Sequence, residues 1–234
     1  MSDVAAGVRA QARVAMRQAI IDAALDQLAV TGADALSVRE VARKVGMSSS
    51  AIYRHIPSKD ALLTALIIEG YESLGRAAEV AEGAIPRPAF TARFLALGRA
   101  VRRWAQANPH HYALLFGSPV PGYSAPEDTI EPATQITRLL SQVLVEASAA
   151  GSLRAPDELQ VDTSLLEPDV LSAFLPGLPE EIAIRGILAW SSLFGLVSFE
   201  LFGHLVGSVA DNDAFFDTSL GVLCQVIGLE AAPA

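Results

Sequence analysis

Cysteine occurs once in this chain of 234 residues, at Cys224, which excludes an internal disulfide framework and suits a reducing compartment, the cytoplasm. Aromatic residues make up only 6%. No stretch alternates apolar and polar residues long enough to read as a strand, while Ala, Leu and Val recur throughout, so propensity favours an all-α chain. No repeat of fixed period is present. Lysine is nearly missing: Lys44 and Lys59 stand against fifteen arginines. The first eighteen residues hold Arg9, Arg13 and Arg17 but no apolar run, which argues against a secretory leader.

The motifs of catalysis are missing too. There is no Gly-x-Ser-x-Gly, phosphate loop, dinucleotide fingerprint or metal-ligand spacing, so neither enzyme activity, a metal nor a cofactor is expected. His110 and His111 are adjacent and would point to different helix faces, which prevents them from chelating one ion. Glu180-Glu181 and Asp157-Glu158 read as helix-start charges that complement the dipole. Cys224 lies in an apolar helical stretch with no neighbouring cation in sequence, which makes it a packing residue rather than a redox sensor.

What is present is an apolar chain, 51% hydrophobic, with a net charge of −9 that is unevenly spread. Residues 1–60 carry eight basic against six acidic side chains, and the remainder nine against twenty. One end can approach a polyanion; the other is repelled by it.

Helical periodicity begins near Val14, where Ile20, Ala24 and Leu28 form one stripe, and ends at Thr31-Gly32. Ser37 and Glu40 have the spacing of a capping box for a second helix that breaks at Gly46. Ser48 suits the cap of a third helix reaching toward Ile56, and Ser58 that of a longer one from Lys59 toward Glu82. Further helices are predicted at about 89–107, 110–116, 128–150, 180–206 and 213–229. The segment 151–179 reads as loop with one or two short helical turns. The resulting division is a flexible arm over 1–13, a three-helix unit over 14–60, and a helical domain over 61–234, with about nine main helices in all.

The second and third helices, joined by a short turn, have the pattern of a helix-turn-helix. Ala42 is small where the two would nearly touch, and Gly46 tolerates positive φ. Val41, Val45, Met47, Ile52 and Ile56 are apolar anchors. The outward positions of the third helix, Ser48, Ser49, Ser50, Tyr53, Arg54 and His55, include no acid, as a surface facing phosphates requires. A helical hairpin with a merely solvated face fits the same spacing.

The run from Leu36 to Leu63, LSVREVARKVGMSSSAIYRHIPSKDALL, resembles the DNA-binding domain of the tetracycline-repressor (TetR) family. It has the Tyr-x-His element and the Lys-Asp-x-Leu start to the fourth helix, with Ile56 where Phe is commoner. The likeness spans roughly residues 14–70. It implies a regulator that binds double-stranded operator DNA. By that resemblance Tyr53 and His55 would contact phosphates, Lys59 would add a charge-assisted phosphate contact, and Arg39 would reach a phosphate or a guanine edge. Ser48, Ser49, Ser50 and Arg54 would face bases, Arg54 being suited to bidentate contact with guanine. Arg9, Arg13 and Arg17 would touch the minor groove or stay solvated.

Residues 180–206 are apolar around more than one face, so the helix must be covered on more than one side. A partner copy is the simplest second cover, giving a homodimer through 180–206 and 213–229. Gly186, Gly195, Gly203 and Gly207 would allow close helix approach. A membrane span is the rival reading, opposed by Arg185, Glu200 and His204 within the run. Residues 189–204 resemble a TetR subgroup named for a Trp-x-x-x-His-Gly motif, with Phe194 in place of the His, and 110–122 resembles that subgroup's middle helix and loop. Family resemblance also implies a cavity for an unknown small-molecule effector. Tyr71, Phe94, Trp104, Tyr112, Phe116, Phe174, Trp190 and Phe194 are candidate walls for an apolar or amphipathic ligand, or else ordinary core. The expectation is a ligand-responsive repressor that reads a palindromic operator as a dimer; the alternative is a helical dimeric adaptor or small-molecule-binding protein that does not bind DNA.

Overall fold

The computed structural model describes residues 2–154, 159–167 and 177–229, with the backbone alone at 2–6 and 8–10. Over these residues the chain forms nine α-helices and no strand, apart from an isolated antiparallel bridge between Leu153 and Leu229. It divides into two compact units, Met1–Tyr71 with Asn108–Ile130, and Glu72–Ala107 with Glu131–Ala234. The border expected after residue 60 is therefore displaced. An uninterrupted helix crosses it, and the middle segment 108–130 belongs with the N-terminal residues.

The first unit holds α1 (Ser2–Thr31), α2 (Val38–Lys44), α3 (Ser49–Ile52), the first part of α4 (Lys59–Gly83) and α6 (Pro109–Phe116). Helix α1 starts at Ser2, so residues 2–13 are helical where an arm was expected. That stretch is rich in Ala, a strong helix former, yet has no apolar stripe for periodicity to reveal. From Ile20 onward the stripe is real: Ile20, Ala24 and Leu28 are buried. They close over Val41 and Ala42 of α2, Ile52 of α3 and Leu62 and Leu66 of α4.

Helix α6 is fastened to α4 inside this unit. His111 is buried, and its Nε2–H donates to the Leu66 carbonyl at 2.7 Å. The ring lies so close to α4 that a Cβ at Gly70 would come within 2.7 Å of Nε2. Burial holds His111 below its ordinary value of 6.5, against the opposing pull of the Leu66 carbonyl and Glu69. The folded state thus prefers the neutral ring. Its contribution to stability is complete above pH 6.5 and is lost as pH falls from there through the lowered folded value. Thermal unfolding followed from pH 7.5 to 5 (roughly the histidine range) should show this loss, and His111→Gln should flatten it. An equally steep profile in the variant would assign the effect elsewhere.

The second unit contains the end of α4, then α5 (Phe90–Ala107), α7 (Ile130–Ala149), α8 (Glu180–Leu201) and α9 (Asn212–Ile227). Leu97 and Val101 of α5, Leu193 and Val197 of α8, and Leu220 and Ile227 of α9 are fully buried. Two ion-pair groups tie the helices together. Arg102 of α5 is bidentate to Glu200 of α8, both bonds 2.7 Å, and reaches Asp213 of α9 at 2.6 Å. Its guanidinium also lies over the Phe216 ring, 4.9 Å from the centroid. The second group centres on Arg93, which is fully buried. Its Nε donates to Glu82 at 2.5 Å and its Nη1 to Glu146 at 2.6 Å and to the Arg87 carbonyl at 2.9 Å. Cys224 is buried in α9, and burial pushes its thiol up to about 12, which keeps it protonated and inert as expected of a packing residue.

Helix α8 ends at Leu201, not Val206. Gly203 and Gly207, expected to serve close helix packing, instead take positive φ (77° and 81°) in the turn that follows. Gly186 does permit close approach, since a Cβ there would lie 2.8 Å from Leu144 of α7. Within the described part of 151–179 there is one short 3-10 turn, Thr163–Leu165.

Candidate nucleic-acid interface

The local structure around the third helix follows from capping chemistry. Gly46 takes φ 72° just past α2, and the Met47 N–H returns to the Ala42 carbonyl at 2.9 Å while the Gly46 N–H reaches Arg43 at 3.3 Å. This pair of bonds is a Schellman cap, which only a residue tolerant of the left-handed region can close cheaply. Any other side chain at 46 would strain the backbone by about 1–2 kcal/mol, although nothing crowds that position in space. Ser48 then opens α3 by accepting the Ala51 N–H at 3.2 Å. Helix α3 is a single turn, Ser49–Ile52, and Tyr53, Arg54 and His55 continue it as turns. The helix expected to reach Ile56 is thus shorter. Ile52 and Ile56, both buried, still pin the two ends of this segment.

The consequence is an outward row. Arg39, Ser48, Ser49, Ser50, Arg54 and His55 are exposed, and Tyr53 is 41% exposed. His55 is exposed and so free to meet a phosphate rather than being a buried, hydrogen-bonded core histidine. The Ser48 hydroxyl is occupied as cap and also bonds to the Ser50 hydroxyl at 3.2 Å. Lys59 is half-buried, and its Nζ donates to the Asp34 carbonyl at 2.5 Å. One of its three protons therefore joins the start of α4 to the α1–α2 loop, a contact the sequence did not signal.

Other supporting residues were equally hidden. The capping box at Ser37 forms only in part: Ser37 Oγ accepts the Glu40 N–H at a long 3.5 Å. The reciprocal acceptor is Gln27 of α1, whose Oε1 takes the Ser37 N–H at 3.2 Å while its Nε2 donates to Glu40 at 2.8 Å. The loop after α6 adds Tyr123, whose hydroxyl hydrogen-bonds Thr64 of α4 at 2.9 Å, and Val120 and Tyr123 pack on the core of this unit. None of these partners is close enough in sequence for spacing to reveal it.

The expected effector walls are divided between the units. Tyr71, Tyr112 and Phe116 form an aromatic cluster in the first, with Phe116 5.9 Å from Tyr71 and 4.9 Å from Tyr112. Phe94, Trp104 and Phe194 are buried in the second. Trp104 Nε1 donates to Ser73 at 3.0 Å. Trp190 is partly exposed and lies 5.8 Å from Phe194. Phe174, the Asp157-Glu158 pair and the Arg9 side chain lie outside the described residues. Among the described residues no group of His, Cys, Asp and Glu is arranged to hold a metal ion.

Residues 20–66 match the family of bacterial regulatory proteins described as tetR family, and residues 94–223 match the tetracyclin repressor-like C-terminal domain. The chain is 34% identical over 225 residues to an HTH-type transcriptional regulator of Mycobacterium tuberculosis, covering 94% of this chain and 96% of that one. The tetracycline repressor protein class D of Escherichia coli is 45% identical over 53 residues, which cover 23% of this chain and 24% of that protein. The solved regulatory protein SCO4313 superimposes with a TM-score of 0.74 at 33% identity, covering 91% of this chain and 97% of that one.

Proposed function

The chain belongs to the tetR family of helix-turn-helix transcriptional regulators, and from that membership we propose that it works in the cytoplasm as a homodimeric repressor, gripping a palindromic operator and released by a small apolar or amphipathic effector. The observation that carries the DNA-reading part is the exposed, acid-free row Arg39, Ser48–Ser50 and Tyr53–His55, aimed outward by the Gly46 cap and by buried Ile52 and Ile56. Phosphates take Tyr53, His55 and Lys59, while Ser49, Ser50 and Arg54 face base edges.

Fluorescence anisotropy with duplex DNA tests it. Lys59→Ala should weaken binding to every sequence and reduce the salt slope by about one for each head engaged. If Lys59 acts only through the Asp34 carbonyl, affinity would fall with the slope unchanged. Arg54→Ala should relax discrimination at one base pair by about 1–3 kcal/mol. Selection of bound genomic fragments should return a sequence with two-fold symmetry, matching the symmetry of the dimer.

The dimer reading rests on an apolar seam. Leu188 and Phe199 on α8 and Val222 on α9 are 51%, 55% and 51% exposed, and Ile187, Phe202 and Phe215 are exposed as well. Gly195 and Gly221 have open space where a Cβ would stand, which leaves room for a facing helix. Length and composition alone would let α8 cross a bilayer. Its ion-paired Glu200 and buried Arg185 favour a protein partner instead. For the effector, the candidate walls are Tyr71, Phe94, Trp104, Tyr112, Phe116, Phe174, Trp190 and Phe194, an apolar and aromatic set suited to an apolar or amphipathic ligand. Induction requires that the effector bind the DNA-incompetent state more tightly than the competent one. The kinship of 189–204 with the Trp-x-x-x-His-Gly subgroup rests on Trp190 and Gly195, with Phe194 in the histidine's place.

A further inference from the structure

Arg13 and Arg17 stand one turn apart on α1, both exposed. Neither forms an ion pair or hydrogen bond among the described residues, and the same holds for Arg54. All three line a single open cleft of about 660 Å³ in the first unit, together with His55. Ile20 and Ile56, both buried, also line it, and among the described residues Asp128 is its one carboxylate. Three arginines thus line one cleft with a single carboxylate among its described walls. Like charges gathered at one site repel, and an anion relieves that repulsion. Arg54 belongs to the row that faces DNA in the function proposed above, on which this reading rests, so the cleft is continuous with that surface and the anion at hand is the duplex itself.

We infer that α1 is a second DNA-gripping element, in which Arg13 and Arg17 bind backbone phosphates beside those taken by the helix-turn-helix. The early start of α1 gives this step its physical basis. An unstructured arm would have to be ordered on binding, whereas a helix already holds the two arginines at fixed spacing, i and i+4, on one side. Guanidinium groups suit the task because they meet phosphate oxygens in a bidentate fork. Such contacts carry no base information. They add affinity and fix orientation on the duplex. Asp128, from the segment after α6, opposes this grip by presenting a negative charge to the same cleft.

The full-length protein and a short random-sequence duplex decide the matter, with affinity measured by anisotropy across a series of salt concentrations. The double variant Arg13→Ala/Arg17→Ala should lower the magnitude of the salt slope by about two for each head engaged. Arg13→Lys/Arg17→Lys should restore most of it, which a merely structural role for the arginines would not explain. Asp128→Asn should tighten binding at low salt, an advantage that fades as salt rises. If wild type and Lys59→Ala differ as proposed above but the double alanine variant keeps the wild-type slope, this inference is overturned and the helix-turn-helix reading stands. If the wild-type protein fails to hold the duplex at low salt, the DNA-reading function falls, and this inference falls with it.

Discussion

Leu188→Glu/Val222→Glu should yield a folded, monomeric chain that has lost its hold on operator DNA. Both side chains are about half exposed in the single copy, so the substitutions remove little of the protomer's own core. In a dimer they would place four carboxylates in one seam, where each uncompensated charge costs several kcal/mol. The apolar area of Leu188, Phe199 and Val222, which favours association at about 25 cal/mol per Å² buried, does not offset that. Separating the heads also removes the advantage of binding one half-site with the other already held, an effect of about 100-fold or more. Sedimentation should report the mass of one chain, and circular dichroism an unchanged helix content. A variant that remained dimeric, or a monomer that bound as tightly as wild type, would move the interface elsewhere.

The second large effect concerns stability. Arg93→Ala should lower stability by about 3–5 kcal/mol, the cost of leaving one side of a buried ion pair without its partner. In a unit of this size that corresponds to roughly 10 °C in Tm. Glu82 is the group left behind. It is buried, and of its partners only the more exposed Arg87, 3.0 Å away, remains. Replacing both members, as in Glu82→Gln/Arg93→Met, should cost less than the sum of the single substitutions, because neither charge is then stranded. Acid should act through the same group. Burial raises the Glu146 carboxyl, but its hydrogen bonds from Arg93 and Gln142 and the charges of Arg93 and Arg87 outweigh this and hold it below its ordinary value. A carboxylate depressed in the folded state contributes stability above its unfolded value, and that contribution disappears as pH falls through the folded one. Wild type should therefore lose stability on acidification into the carboxylate range, and Arg93→Met should lose less of it. Equal losses in both would remove the pairing from the explanation.

Arg93 illustrates which parts of the molecule sequence patterns reach. It sits in α5 among other arginines that are exposed or half-buried, such as Arg99, Arg102 and Arg103, and its partners Glu82 and Glu146 are 11 and 53 residues away. Spacing contains no information about such pairs. The same holds for Gln27 completing the Ser37 cap, for Lys59 meeting the Asp34 carbonyl, and for Tyr123 bonding to Thr64. Local signals behaved differently. Gly46, Ser48 and Ser58 each end or begin a helix where their backbone and side-chain chemistry places them.

The sequence by itself determined that this chain is helical, where most helices begin and end, and which short polar stretch faces outward, because caps, glycine turns and apolar periodicity act within a few residues. It also determined the family, through the run from Leu36 to Leu63. Only the tertiary structure decided that α6 and the following loop belong with the N-terminal residues, that α1 is helical from Ser2, and that Arg13, Arg17 and Arg54 share one cleft. Those outcomes depend on contacts between segments far apart in the chain. Their free energy is settled by packing and burial, which no local pattern records.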